Sequence, residues 1–223
     1  MSTSVSHNHP APLHDAALAQ TWANGWAKLG RPVPLALRLE LQAAWAEPHR
    51  CYHATQHLRE CMALWRLWQD QCERPGEVAL ALWFHDAVHD PHDPHESGNE
   101  LKSASWAARA MVAEGANEDA AQRVYELVMA TRHDQLPRGT DACFVVDIDL
   151  AILGSPPARF EHYDQNIRKE YELVPRFRYR NQRAKVLQGF LDRPRLFQTD
   201  PAHEMLEAQA RINLSAAISR LAQ

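Results

Sequence analysis

An all-α fold is predicted by three observations. The alternating Val/Ile/Thr runs of a half-buried strand are missing. Glycine is scarce, with only 8 residues to punctuate hairpins. Ala, Leu, Glu, Gln and Arg, all good helix formers, dominate the chain.

The elements follow in order. Residues 1–12, MSTSVSHNHPAP, are polar and contain proline, which predicts a flexible N-terminal tail. Helices are predicted at 14–29, 35–46, 53–74, 77–90, 98–115, 117–134, 142–153, 157–173, 178–192 and 201–221. Gly30 and Pro32 end the first, and Pro75-Gly76 separates the third from the fourth. Pro91 and Pro94 lack the amide hydrogen and bias their predecessors away from the helix, so Asp90–His95 is read as a loop. Ser97 stands as an N-cap with Glu100 at capping-box spacing, and Asn117 precedes the two acids Glu118 and Asp119, which suit a helix start. With no internal repeat and no linker composition, residues 13–223 read as a single helical domain.

Bulk properties narrow the function classes. A chain of 223 residues can bury a full core without disulfides. Cys51, Cys61, Cys72 and Cys143 form no CxxC pair, so they read as reduced thiols, with Cys61 and Cys72 as packing residues. No apolar run approaches the roughly 20 residues that cross a bilayer, and the N-terminus lacks the layout of a secretory signal. A cytoplasmic protein with no membrane partner is expected. The net charge of −4 argues against a general nucleic-acid binder. The charge is uneven: residues 166–195 carry nine Lys or Arg against three acids, +6, which leaves −10 elsewhere. A basic segment facing an acidic, His-rich one suggests a phosphate site beside a metal site.

The chemistry is concentrated in a few strings. His53 and His57 in YHATQH are four apart and would share one face of a helix. His85-Asp86 closes an apolar helix in ALWFHDAVHD, and Asp147 and Asp149 interrupt the apolar CFVVDIDLAIL. Ionisable groups at such positions are costly unless paired or bound to a cation. Imidazole and carboxylate without thiolate suit Mn, Fe, Co, Ni, Zn or Mg.

A His, then His-Asp 28 residues later, then a distant Asp, resembles the pattern of the HD superfamily of metal-dependent phosphohydrolases. YHATQHL, ALWFHDAVHD, NELKSA, VVDIDLAILG, IRKEY and ARINL are similar to a bacterial and fungal subgroup of predicted HD phosphohydrolases, over about residues 50–214. The resemblance implies a compact helical fold and a divalent metal held by His57, His85, Asp86 and either Asp147 or Asp149. His57 is preferred over His53, and Asp149 over Asp147. A second metal, where present, would draw on His133 or Glu100, or on the loop residues His89, His92 and His95, which read more simply as surface residues. The implied activity is hydrolysis of a phosphoester of a nucleotide or related small phosphate. Glu100 or Asp90 would handle the water, His53 would face the substrate, and Arg168, Arg178 and Arg183 would neutralise the phosphate. The alternatives are a di-iron oxygenase on the same fold and a catalytically silent, metal-stabilised binding protein.

Overall fold

The computed structural model describes residues 10–91 and 98–222. Ten α-helices and no strand occur among them: α1 (Asp15–Lys28), α2 (Leu35–Trp45), α3 (Thr55–Trp68), α4 (Pro75–Phe84), α5 (Gly98–Ala113), α6 (Glu118–Ala130), α7 (Thr140–Asp149), α8 (Pro157–Glu170), α9 (Arg176–Leu191) and α10 (Asp200–Leu221). Short 3-10 turns extend α3 at Gln69–Gln71 and α7 at Leu150–Gly154. The Ser97 cap, His92, His95 and most of the N-terminal tail lie outside the described residues. Asn117 does cap α6, its side chain accepting from the Ala120 amide at 2.7 Å.

The architecture is organised around α4. Every residue from Val78 to Phe84 is fully buried, which marks a helix apolar on all faces and surrounded by others. It packs against α1, α3, α5, α6 and α7. Its lining is rich in indoles: Trp22, Trp26, Trp45, Trp65 and Trp83 are all completely buried. Four of them satisfy their N–H groups internally, on Pro34 O, Trp83 O, Pro75 O and Thr21 Oγ1. The N-terminal tryptophans are therefore core.

Helix α4 ends six residues before the predicted 90. The cause is Arg50, whose buried guanidinium donates to Asp86 O at 2.6 Å and Ala87 O at 3.0 Å. The Val88 amide donates to Ser103 Oγ at 3.0 Å. Side chains thus take the backbone groups that would have continued the helix. Consequently His85 is the C-terminal cap of a central helix, and Asp86 starts the turn beyond it. The other end of the molecule closes where α10 crosses the turn after α7. A Cβ at Gly154 would sit 2.6 Å from that of Leu206, so only glycine permits this approach.

Candidate metal centre

Four donor atoms from three helix ends converge on one point. His57 comes from the first turn of α3, His85 and Asp86 from the end of α4, and Asp149 from the end of α7. His57 Nε2 lies 3.1 Å from His85 Nε2, 3.1 Å from Asp149 Oδ1 and 3.7 Å from Asp86 Oδ2. His85 Nε2 lies 3.2 Å from Asp86 Oδ2 and 3.4 Å from Asp149 Oδ1. Donors bonded at about 2.1 Å to one cation are separated by about 3.0 Å in an octahedron and about 3.4 Å in a tetrahedron. Four of these five separations lie between the two values and the His57–Asp86 one is 3.7 Å, so the four residues could hold a divalent cation.

The rings are oriented for this. His85 Nδ1 sits 2.8 Å from Leu82 O and can only donate there, which leaves Nε2 of the neutral ring as an acceptor. His57 Nδ1 is 3.1 Å from the Tyr52 hydroxyl. The Trp45 ring packs beside both imidazoles, with centroids at 6.2 and 5.4 Å. Burial alone would lower the His85 pKa, but the neighbouring Asp86 and Asp149 carboxylates outweigh it and raise it well above the usual imidazole range. Burial would raise Asp86 and Asp149, and the His85 ring overcomes this and holds both low. Two half-buried carboxylates here need positive charge, supplied either by protons on the rings or by a cation.

Asp147 is not part of this cluster. It points to the start of α10, where it accepts from the Gln198 and Thr199 amides and the Thr199 hydroxyl. Alternate residues at the end of a helix face different neighbours, so only one of the two aspartates can reach the histidines. Burial nevertheless pushes Asp147 up to about 6. His133 approaches from the far side of Asp149, with Nε2 3.0 Å from Oδ2. It holds a left-handed backbone at φ 58°, uncommon for a residue with a Cβ.

His53 lies before α3, not within it, so it does not share a helix face with His57. Its Nδ1 is 2.6 Å from Glu170 Oε2, while Glu170 Oε1 accepts from the amides of Cys51, Tyr52 and His53 at 2.7, 2.7 and 3.0 Å. His89 is buried, not a surface residue, and its ring packs on His53 with centroids 4.1 Å apart. This second His/carboxylate group also has metal-compatible residue types. Its 2.6 Å contact, however, is a charge-assisted hydrogen bond and is too short for two ligands of one cation.

A cavity of about 540 Å³ opens over the cluster. His53, Asp90, Glu100, His133 and Arg183 line it, together with Asp86 and Asp149. Glu100 Oε2 is buried without a hydrogen-bond partner among the described residues, and burial, reinforced by Asp86, raises its pKa. Arg168 and Arg178 do not line the cavity. Arg168 donates to the carbonyls of Tyr171, Glu172 and Val174 and stacks on Tyr179, whereas Arg178 lies over the exposed Phe177. Much of the basic segment neutralises carbonyls: Arg180 holds Leu221 O, Arg193 holds His133 O and Arg195 holds Phe197 O.

Four residues that matter were not singled out from the sequence: Arg50, Tyr52, Arg132 and Glu170. Glu170 stands in the IRKEY string, and Tyr52 adjoins His53, so both were within quoted motifs without an assigned role. Arg132 likewise adjoins His133 in the string ATRHD, whereas Arg50 carries no periodic or motif signal. No helix of the described residues is long and apolar enough to cross a membrane. Compared with protein-family models, with curated proteins and with solved structures, the chain has no significant match, and its function must be read from the residues above.

Proposed function

We propose that the protein is a metal-dependent phosphohydrolase acting on a small phosphoester. The observation that carries this reading is the spacing of His57, His85, Asp86 and Asp149, which matches the edges of a coordination polyhedron. The likeness of YHATQHL and ALWFHDAVHD to HD phosphohydrolases, and a cavity directly over the cluster, support it. A divalent cation held there supplies Lewis acidity, polarising a phosphoryl oxygen and making nearby water more acidic.

The chain's own residues do the rest. Glu100, its carboxylate buried and its pKa raised, accepts the proton of the attacking water. His53 is fixed through Nδ1 by Glu170, which leaves Nε2 to give a proton to the departing oxygen. Burial would lower His53, but Asp86 and the hydrogen bond to Glu170 raise its pKa, which favours the protonated ring. Arg183, on the cavity wall and 3.3 Å from Asp164, adds positive charge to the cavity only at longer range.

The test is phosphate release from a panel of nucleotides and simpler phosphomonoesters, with the metal-stripped protein reloaded with Mn²⁺, Co²⁺ or Mg²⁺. Metal-dependent release that disappears in Asp86→Ala is expected. Release that ignores both metal and Asp86 would contradict the reading. Turnover dependent on O₂ and iron would replace it with an oxygenase.

A further inference from the structure

The cavity also has a chemical bias in what it accommodates. Five carboxylates line it, Asp86, Asp90, Glu100, Asp134 and Asp149, against two guanidiniums, Arg132 and Arg183. Both guanidiniums already face an acid: Arg132 is 3.3 Å from Asp134, and Arg183 is 3.3 Å from Asp164. Arg132 offsets Asp134 and a divalent cation offsets the Asp86 and Asp149 pair, which leaves acids such as Glu100 on the wall. A chain of phosphates would therefore enter a cavity that stays acidic and offers no uncommitted Lys or Arg among the described residues. Much of the remaining wall is instead built of rings. Tyr52, Tyr163, Tyr171, Tyr179 and Phe190 all contribute, with aliphatic side chains of α8 and α9 between them. Tyr163 is packed against Tyr52 at 4.5 Å and lies under Arg183 at 5.1 Å, so this wall is preorganised.

We infer that the site takes a single phosphate attached to an aromatic or apolar body, and excludes di- and triphosphates. The phosphate sits at the His57/His85/Asp86/Asp149 end, and the body lies on the tyrosine wall, where burial of its surface supplies the affinity. This rests on the phosphohydrolase reading for the identity of the anionic group, but the selectivity is a property of binding and is measurable without turnover.

The experiment is calorimetric titration of the Mn²⁺-loaded full-length protein with phenylphosphonate, methylphosphonate and tripolyphosphate at matched free Mn²⁺. Phenylphosphonate is expected to bind about tenfold more tightly than methylphosphonate, and tripolyphosphate more weakly than either. Tyr179→Ala should erase the advantage of the phenyl group and leave methylphosphonate unchanged. Val186, a 41 % exposed residue at the cavity rim, offers the converse test. Val186→Lys places a free cation in the wall and should strengthen tripolyphosphate binding about fivefold or more. Tripolyphosphate binding as tightly as phenylphosphonate to the wild type, or a phenyl group that adds nothing, would overturn the inference. If this binding order holds but no phosphomonoester is hydrolysed, the hydrolase reading fails alone. Hydrolysis with the order reversed leaves the hydrolase reading standing and removes the selectivity.

Discussion

Asp86 and Asp149 differ from Glu170 in how their charge is satisfied. Glu170 receives three backbone amides on one oxygen and His53 on the other. Asp147 and Glu207 are held similarly, by two amides and a hydroxyl and by two amides and Arg211. Among the described residues, Asp86 and Asp149 have only imidazoles as side-chain partners. Amides are permanent donors, so a carboxylate they surround is a structural pin. Imidazoles can exchange a proton for a metal, so a carboxylate they surround is available to a cation. The partners of the acid, together with the access that Asp86 and Asp149 keep to the cavity, tell the two kinds apart.

The comparison breaks most visibly at Glu170. Glu170→Ala strands three amides in the 51–53 turn and should destabilise the protein by about 3–5 kcal/mol in urea unfolding. Asp149→Ala, measured without metal at pH 8, should move stability by no more than about 1 kcal/mol, because its imidazole partners can shed a proton. Equal losses in the two variants would erase the distinction. The Glu170 effect also has a pH signature. Burial would raise its pKa, but His53 and His89 overcome this and hold it far below the ordinary carboxylate value. A depressed folded-state pKa gives stability that is complete above the unfolded value, about 4.3, and is lost as pH falls below it. The raised His53 pKa adds stability that is complete only below the unfolded imidazole value, about 6.5, so the gap between wild type and Glu170→Gln should be full near pH 5 and shrink by pH 3.5.

A smaller effect separates the arginines. Arg168→Ala removes a cation from three carbonyls and should cost about 1–2 kcal/mol of stability, with metal affinity and phosphate binding unchanged. Arg183→Ala should weaken phosphonate binding. A phosphonate defect in Arg168→Ala would return that residue to the site. A change of similar size is expected at His133, whose Nε2 meets the far oxygen of Asp149. His133→Ala should weaken Mn²⁺ binding by about tenfold, as for a residue that orients a ligand. Complete loss would make it a ligand itself.

Much of this was legible in the sequence, and the exceptions have physical causes. Helix content followed from composition, and the set of His57, His85-Asp86 and either Asp147 or Asp149 from the resemblance to the HD pattern. The choice between Asp147 and Asp149 was open because a two-residue offset is resolved only by what packs on each face, here the start of α10. Helix α4 was extended too far because Arg50, 36 residues from Asp86, takes its carbonyl, and no local pattern announces such a contact. The basic segment suggested a phosphate site because charge can be counted in a sequence. Its carbonyl partners, such as Leu221 O for Arg180, 41 residues away, cannot.

The central claim is that Asp149 belongs to a cation site and Asp147 and Glu170 do not. Titrating Mn²⁺ into the metal-stripped protein, with free ion followed by electron paramagnetic resonance, tests it directly. A tight site is predicted in the wild type, absent in Asp86→Ala and Asp149→Ala and preserved in Asp147→Asn and Glu170→Gln. Retention of that site in Asp149→Ala, or its loss in Asp147→Asn with the fold intact, would contradict the account.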